Sequence, residues 1–263
     1  MSQHRARRRF GQNFLIDDRE ISRIVAAIDP LPVQHLVEIG PGQGALTSSI
    51  AARVARLDVV EIDRDLIPDL EALTATFPNL RVHCADALRF DFAELAGDKE
   101  RLRIFGNLPY NISTPLLFHL LESSSCIADM HLMLQKEVVD RLAAEPGDEA
   151  YGRLSVMVQY HCHVEKLFTI GPQAFRPSPK VDSAVVRLTP YREPHVAVND
   201  VAAFSEVVKR AFAYRRKTLR NALKGLLDGP AIELAGIDPG QRGERLSLRD
   251  FARLSNQLPA ADR

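Results

Sequence analysis

Residues 35–50 read HLVEIGPGQGALTSSI, and this stretch decides the fold that the sequence predicts. The residues from His35 to Ile39 indicate a buried strand, a turn with three glycines follows, and residues 45–55 have the spacing of a helix. Glycine permits a sharp turn and lets the backbone approach a ligand without a Cβ in the way. The stretch therefore predicts a strand, a ligand-binding turn and a helix, which together form the first unit of an α/β fold.

Strands and helices alternate on both sides of this stretch. Further strands are predicted over residues 57–62, 80–84, 103–105 and 130–134, and helices over 18–28, 66–77, 115–122 and 136–143. This alternation predicts a mostly parallel sheet with helices on both faces. Val156–Tyr160 and Ser183–Leu188 are predicted as two more strands with no helix between them, and hence as an antiparallel edge.

The pattern changes beyond Pro190. Residues 200–213, 215–227 and 247–257 are predicted as helices, interrupted by Gly229-Pro230 and Pro239-Gly240. We expect a small all-helical domain here, which divides the chain into residues 1–192 and 193–263.

A glycine turn and two acidic residues, at three predicted strand ends, indicate a nucleoside cofactor. Gly40 opens the glycine turn, Glu61 ends the next strand 21 residues later, and Asp86 follows the third strand. A carboxylate at the position of Glu61 can bind both hydroxyls of a ribose, and a carboxylate at Asp86 can meet the amine of an adenine. Because the lysine of a phosphate-binding loop is missing, S-adenosylmethionine fits best. A tight turn that serves only packing is the alternative.

Asn107-Leu108-Pro109-Tyr110 follows the strand at 103–105 and precedes the helix that Ser113, Thr114 and Pro115 begin. Such a turn carries an amide, backbone carbonyls and an aromatic ring. These groups are suited to accept hydrogen bonds from a flat amino group while the ring stacks on the base that carries it. Phe175 is expected to stack on the other face of the base, and its alternative is a core aromatic residue.

Charge and cysteine content limit the partners. Net charge is zero, so any nucleic-acid surface must be a local patch. One basic run holds Arg5, Arg7, Arg8 and Arg9, and a second runs from Lys209 to Lys224 with no acid inside it. These runs favour a polyanionic partner over a merely solvated face, and the residues expected to bind RNA are Arg215, Arg216, Lys217, Arg220 and Lys224.

The remaining features predict a cytoplasmic protein without a metal. Cys84, Cys126 and Cys162 have neither disulfide nor metal-ligand spacing. The basic N-terminus lacks the apolar stretch of a signal peptide, and no run reaches transmembrane length. A monomer is expected because no exposed apolar stripe demands a dimer.

The chain resembles the ribosomal RNA adenine dimethyltransferase family, in particular its bacterial small-subunit branch. The likeness covers nearly the whole length and rests on several motifs in order: FGQNFL at 10–15, EIGPG at 38–42, GNLPYNIS at 106–113, FRPSPKVDS at 175–183, RRKTLRN at 215–221 and RLS at 245–247.

This resemblance implies a Rossmann-like methyltransferase with a seven-stranded sheet and a C-terminal helical domain that binds rRNA. It implies dimethylation of two adjacent adenosines in the hairpin loop near the 3′ end of small-subunit (16S) rRNA, in the immature subunit. It assigns S-adenosylmethionine contacts to Asn13, Leu15, Gly40, Glu61, Asp86 and Asn107. The acidic loop Glu145–Glu149 is atypical, so no RNA contact is expected from it.

Three other functions remain to be weighed. A large-subunit rRNA dimethyltransferase of the antibiotic-resistance type shares the turn at 107–110. A DNA adenine methyltransferase usually has a proline where this chain has Leu108. A non-catalytic ribosome assembly factor would be expected to have a damaged cofactor site.

Overall fold

The structure is a computed structural model that describes residues 7, 11–97, 101–214 and 216–259. Its strands are β1 (Phe14–Leu15), β2 (His35–Ile39), β3 (Arg56–Glu61), β4 (Leu80–Cys84), β5 (Leu102–Asn107), β6 (Ile127–Gln135), β7 (Cys162–Ile170), β8 (Phe175–Arg176) and β9 (Ser183–Pro190). Its helices are α1 (Asp18–Ile28), α2 (Ala45–Ala51), α3 (Ile67–Leu73), α4 (Phe92–Ala96), α5 (Ser113–Glu122), α6 (Lys136–Ala143), α7 (Arg153–His161), α8 (Val201–Ala213), α9 (Leu219–Ala222), α10 (Gly229–Leu234) and α11 (Leu248–Ser255).

Seven strands form one sheet in the order β4-β3-β2-β5-β6-β9-β7, and β1 pairs with β8 in a separate two-stranded sheet. The strands from β4 to β6 are mutually parallel, whereas β9 runs antiparallel to β6, from Met130 opposite Leu188 to Gln135 opposite Ser183. Strand β2 is buried at every residue, as expected for a central strand covered on both faces. The mostly parallel sheet with an antiparallel edge is therefore confirmed.

The order in which the chain adds strands to the sheet reverses between β2 and β5, which makes this position a topological switch point. From β2 the chain adds β3 and β4 on one side, and β5 then pairs with the other side of β2. Open α/β sheets bind ligands outside the carboxyl ends of the strands at such a switch point. Gly106 permits the close pairing there, because a Cβ at this position would lie 2.3 Å from the Ile39 carbonyl oxygen.

Helix α1 is fixed to the sheet at its carboxyl end. Arg103 forms a two-point ion pair with Asp129, at 2.9 and 3.0 Å, and donates to the backbone carbonyls of Ile28 and Asp29. The last carbonyls of a helix lack partners within the helix, so a guanidinium there satisfies them and balances the helix dipole. Helix α1 packs its apolar face on the core that lies against β2 and β3.

The contacts divide the chain into two compact units: one of residues 1–139 and 165–190, the other of residues 140–164 and 191–263. The sequence predicts a single division between 192 and 193, so the assignment of 140–164 to the second unit differs from that prediction. Helix α7 lies in this segment and packs against α8 and α11. Tyr151, just before α7, donates from its hydroxyl to the Leu246 carbonyl at 2.8 Å.

The strand predicted at Val156–Tyr160 is wrong, because these residues belong to α7. Nearly every residue from Leu154 to Tyr160 is buried, so the apolar run has no helical period, and Val and Tyr then favour a strand. The antiparallel edge is formed instead by β9, with β7 as the outer strand.

Two helix boundaries in the second unit also differ from the prediction. The segment predicted as helical over 215–227 contains only the short α9, with Arg215 outside the described residues. Gly229-Pro230 begins α10 rather than interrupting helical structure, because the Asp228 side chain accepts from Ala231 N–H and proline suits the first turn. None of the helices in the described part of the chain is long and apolar enough to cross a membrane.

Candidate active site

A cavity of about 250 Å³ opens at the switch point, beside the carboxyl ends of β2 and β5. Its lining comes from the segment before α1 and from the turns that follow β2, β3, β4 and β5. The residues predicted to bind the cofactor all lie in this lining: Asn13, Leu15, Gly40, Glu61, Asp86 and Asn107. Leu108, Pro109 and Tyr110 line it as well.

The glycine turn after β2 forms one wall. Gly40 and Gly42 have φ angles of +67° and +57°, which residues with a Cβ rarely adopt. Gly40 donates its N–H to the Val60 carbonyl at 3.0 Å, which ties the turn to β3. A Cβ on Gly42 would lie 2.9 Å from the Phe14 ring, so this glycine leaves room for the segment before α1 to pass close to the turn.

Glu61 presents a buried carboxylate to the cavity from the end of β3. Its two oxygens accept from Gly42 N–H at 3.2 Å and from Asp63 N–H at 2.9 Å, so the carboxylate has a fixed orientation. Burial raises the pKa of Glu61, and the backbone hydrogen bonds oppose that rise. A carboxylate held in this way can accept from two neighbouring hydroxyls, as a ribose would provide.

Asp86 lies on the turn after β4. Its Oδ1 accepts from Leu88 N–H at 3.0 Å, an Asx-type turn that fixes the side chain in the cavity wall. The carboxylate keeps further acceptor capacity, which suits it to an amino group of a ligand.

Glu38 is the cavity residue for which the sequence gives no role. Its side chain is 2% exposed, and its Oε2 accepts from the Thr47 hydroxyl at 2.6 Å. Burial raises the pKa of Glu38 to about 8, the Thr47 hydrogen bond lowers it, and the nearby Glu61 raises it further. The sequence signals for it are its place next to the end of β2, two residues before Gly40, and its membership of the motif at 38–42.

The Asp, Glu, Lys, Arg and His side chains of the described lining are all acids. Glu38, Glu61 and Asp86 contribute carboxyl groups, and the lining that the structure describes contains no Lys, Arg or His. Such a cavity favours a ligand with positive charge over its neutral counterpart.

Asn107 has its side-chain amide fixed in one orientation. Its Nδ2 donates to the Asn13 backbone carbonyl at 2.8 Å. The side chain also lines the cavity, and no described residue donates to its Oδ1. One Nδ2 hydrogen therefore fixes the amide, and its Oδ1 is left as an acceptor for a ligand in the cavity.

The Leu108 carbonyl offers a second acceptor. The next two carbonyls are used inside the turn: that of Pro109 accepts from Ile112 N–H at 3.2 Å, and that of Tyr110 accepts from the Ser113 hydroxyl at 3.1 Å. Among the described residues, none donates to the Leu108 carbonyl. Adjacent acceptors at Asn107 and Leu108 match a group with two N–H donors.

Tyr110 is fixed at its hydroxyl, which forms a hydrogen bond of 2.8 Å with the hydroxyl of Ser183 on β9. Burial raises the pKa of Tyr110, so the phenol stays protonated at neutral pH. The half-buried ring lies in the cavity lining and can present a face to a planar ligand.

The prediction that Phe175 stacks on the other face of a base is not supported. Its side chain is 3% exposed, belongs to the hydrophobic core with Leu15 and Ile24, and is absent from the described cavity lining. The cause is the pairing of β1 with β8, which puts Phe175 opposite Leu15 and turns the ring into the core. Phe175 is therefore a core residue in this structure.

Side-chain contacts hold the segment before α1 to the turn after β3. Gln12 donates from Nε2 to the buried carboxylate of Asp63 at 2.9 Å, and Arg7 pairs with Asp63 at 3.1 Å and with Asp65. These contacts fix the segment beside the turn after β3, and Asn13 in turn holds the amide of Asn107. Phe10 and the arginines at 5, 8 and 9 lie outside the described residues.

The residues expected to bind RNA belong to the second unit. Arg216, Lys217, Arg220 and Lys224 are exposed, and the basic run loses its first members because Lys209 and Arg210 both pair with Glu206, at 3.2 and 2.8 Å. Arg215 lies outside the described residues. Over the described ranges, no three His, Cys, Asp or Glu side chains are grouped to hold a metal ion.

Comparison with known proteins gives consistent results. The model of the family "Ribosomal RNA adenine dimethylase" matches residues 3–259. "Ribosomal RNA small subunit methyltransferase A" of Pseudomonas aeruginosa is 59% identical over 256 residues, which cover 97% of this chain and 96% of the relative. The protein of the same name from Marinomonas sp. is 56% identical over 255 residues, again covering 97% and 96%.

Solved structures share the fold. A dimethyladenosine transferase from Plasmodium falciparum superposes with a TM-score of 0.76 at 24% identity, covering 92% of this chain and 95% of that one. The 23S rRNA methyltransferase ErmE gives a TM-score of 0.72 at 27% identity, covering 94% and 99%.

Proposed function

The chain belongs to the ribosomal RNA adenine dimethylase family, and from this membership we propose that it dimethylates two adjacent adenosines in the 3′-terminal hairpin loop of small-subunit (16S) rRNA. S-adenosylmethionine is the methyl donor. The observation that carries the proposal is the pair of free acceptors at Asn107 and Leu108, in a cavity whose other walls suit adenosine and a positive charge.

The chemistry follows from the properties of the adenine amine. Its lone pair is delocalised into the ring, so the nitrogen is a poor nucleophile until it becomes tetrahedral. If the Asn107 Oδ1 and the Leu108 carbonyl each accept one N–H, the lone pair is directed away from both acceptors and is available for in-line attack. S-adenosylmethionine would supply a methyl group that its positively charged sulfur activates and would leave as neutral S-adenosylhomocysteine, while the methylated nitrogen would release one proton to solvent.

Positioning then accounts for most of the rate. Holding two reactants in line can contribute about 7–11 kcal/mol, whereas general base catalysis contributes about 10²–10⁴-fold where it occurs. The turn at 107–110 presents acceptors and a ring but no base, which fits a reaction driven by alignment. The second methylation has only one N–H left, so a single acceptor of the pair suffices for it.

The substrate base must leave its stack, which costs a few kcal/mol. Stacking on the Tyr110 ring returns about 1–3 kcal/mol, and Phe175 is buried in the core and returns nothing in this conformation. The remainder must come from RNA contacts elsewhere. We propose that these contacts are made to rRNA phosphates by basic residues of the second unit, whose role is therefore to bind rRNA: Arg215, Arg216, Lys217, Arg220 and Lys224.

The small subunit is favoured as the source of the RNA. The curated relatives at 54–59% identity are named as small-subunit methyltransferases, whereas the 23S rRNA enzyme ErmE is 27% identical. We propose an immature small subunit in the cytoplasm as the target and a monomer as the acting form. A non-catalytic assembly role alone is disfavoured because every predicted cofactor residue lines the cavity.

One experiment tests the proposal. The protein is incubated with methyl-labelled S-adenosylmethionine and undermethylated small or large subunits, and the modified nucleosides are mapped. We expect two adjacent dimethyladenosines near the 3′ end of small-subunit rRNA only. Label confined to large-subunit RNA, or none in either subunit, would contradict the proposal.

A further inference from the structure

Tyr214 is an exposed aromatic residue at the end of α8. Its side chain is 67% exposed, whereas Tyr151 and Tyr160 in the same unit are buried. The backbone leaves the helix here, with φ −133° and ψ 93°, and a turn closes when Lys217 N–H donates to the Tyr214 carbonyl at 2.9 Å. The ring therefore stands at the end of α8, where this hydrogen bond holds its backbone, and it contributes little to the core.

Four described cations lie within ten residues after Tyr214: Arg216, Lys217, Arg220 and Lys224. All four are exposed, and none forms an ion pair with another described residue. Lys209 and Arg210 on α8 differ, since both are held by Glu206. Cations without an ion pair in the described part of the chain are therefore found after Tyr214, next to the exposed ring.

The backbone that carries these cations is well anchored. The buried leucines recur every four residues, at 219, 223 and 227. Leu219 N–H donates to the Gln241 carbonyl at 2.7 Å, and Arg220 N–H donates to the Pro239 carbonyl at 3.0 Å. Arg216, Arg220 and Lys224 recur with the same spacing of four but are exposed, so a fixed segment presents its charges to solvent.

We propose that Tyr214 is a stacking platform for an unpaired RNA base whose flanking phosphates bind the four cations. A cationic surface with an aromatic ring is the arrangement by which proteins bind single strands, because every base has a face that stacks and phosphates add charge attraction. Base-paired RNA offers phosphates but no free base face, so the platform selects unpaired nucleotides. The inference rests on the proposed function only in taking RNA as the substrate.

The test separates stacking from charge by salt dependence. Binding of a fluorescent 12-nucleotide oligoadenylate RNA is measured by anisotropy at several salt concentrations. We expect Tyr214→Ala to bind about tenfold more weakly, with the wild-type slope of log affinity against log salt. Tyr214→Phe keeps the ring and binds like wild type. Lys217→Ala lowers the magnitude of the slope by about 0.7, the value for one phosphate contact on a single strand.

The control is Leu234→Ala, which removes another exposed side chain of the same unit, 79% exposed, on α10. We expect Leu234→Ala to bind the single strand like wild type. We also expect Tyr214→Ala and wild type to bind a 12-base-pair RNA duplex equally well. If Tyr214→Ala binds the single strand like Leu234→Ala, Tyr214 is a solvated surface residue only and the inference is wrong. A change in its salt slope equal to that of Lys217→Ala would also overturn stacking.

A second readout does not depend on methyl transfer. The chain has no tryptophan and five tyrosines, so its fluorescence comes from tyrosine, and a stacked base should quench Tyr214. We expect quenching by the oligonucleotide in Tyr110→Phe, which removes the tyrosine of the cavity, and its absence in the Tyr110→Phe, Tyr214→Phe double variant. Quenching without any methylation by wild type would refute the proposed function and keep the inference. If wild type methylates the RNA but the oligonucleotide quenches both variants equally, the proposed function stands and the inference is wrong.

Discussion

Replacing Asn107 by alanine removes one of the two acceptors and one structural hydrogen bond, and the two losses have different sizes. The bond from Nδ2 to the Asn13 carbonyl, 2.8 Å long, contributes about 0.5–1.5 kcal/mol to stability. Removing one preorganised hydrogen-bonding group from an active site typically lowers turnover by about 10²–10³-fold, or about 2.7–4 kcal/mol. We therefore expect a folded protein with a small loss of stability and a rate at least about 100-fold lower.

The assay combines transfer of labelled methyl groups to undermethylated small subunits with urea unfolding of the same preparations. The control is Asn256→Ala in the second unit, because Asn256 Nδ2 also donates to a backbone carbonyl, that of Ala197 at 3.1 Å, and its Oδ1 accepts from Asn199 N–H at 2.8 Å. We expect the control to lose stability but not rate. Asn107→Asp keeps an acceptor and loses the donor to Asn13, so its rate should lie between those of wild type and Asn107→Ala.

Two results would refute this reasoning. If Asn107→Ala turns over near the wild-type rate, the amide oxygen does not bind the reacting amine. If the loss of rate is matched by an equal loss of folded protein, Asn107 serves structure alone.

Three further predictions follow from buried groups. Burial alone would raise the pKa of Asp58, but hydrogen bonds from His35 and His83 hold this pKa well below its ordinary value. The contribution of Asp58 to folding stability is therefore complete above about pH 4 and is lost as the pH falls further. Asp58→Asn should lower the free energy of unfolding in urea by about 3–5 kcal/mol at pH 7 and by less at pH 3, and an equal loss at both pH values would contradict this. Gly106→Ala puts a Cβ 2.3 Å from a backbone oxygen and should lower stability by about 1–3 kcal/mol and weaken cofactor binding in calorimetry, and unchanged values for both would count against the close pairing of the strands. The pKa of Glu38 is about 8, and a cationic ligand favours the ionised form of this carboxyl group. Affinity for S-adenosylmethionine should therefore rise between pH 6 and 8, by up to about tenfold per pH unit, and Glu38→Gln should flatten this rise. Equal pH slopes in wild type and Glu38→Gln would show that ionisation of Glu38 is not coupled to binding.

The cavity could be predicted where function depends on local sequence order. Gly40 and Asp86 follow strands and Glu61 ends one, and parallel strands end at the same edge of a sheet, so these residues had to converge. The turn at 107–110 is recognisable because it links a strand to a helix, but the predicted start signal is wrong: Ile112 is the N-cap of α5 and no side chain caps the helix.

The parts that failed depend on contacts between distant residues. Phe175 is turned into the core by its pairing with Leu15, 160 positions earlier, and no local pattern contains that pairing. The bond from Asn107 to the Asn13 carbonyl spans 94 positions, so the sequence names both residues but not their link. Helix α7 has the sequence pattern of a strand because burial on all sides removes the polar face that reveals a helix.

The charge pattern is informative but too broad. An acid-free run from Lys209 to Lys224 predicts one continuous basic surface. Glu206 lies three and four residues before Lys209 and Arg210, within reach along one helix, and it forms an ion pair with each of them. The RNA surface that we propose therefore begins after α8, a limit that helical spacing alone can set.

The most direct measurement is a crystal structure of the protein with S-adenosylhomocysteine and an RNA fragment that carries the target adenosine. We predict that Asn107 Oδ1 and the Leu108 carbonyl oxygen both lie within about 2.7–3.2 Å of the exocyclic nitrogen, with the Tyr110 ring stacked on the base. A target amine bound by other groups, or a carboxamide that has left Asn13 and faces away from the base, would contradict the account.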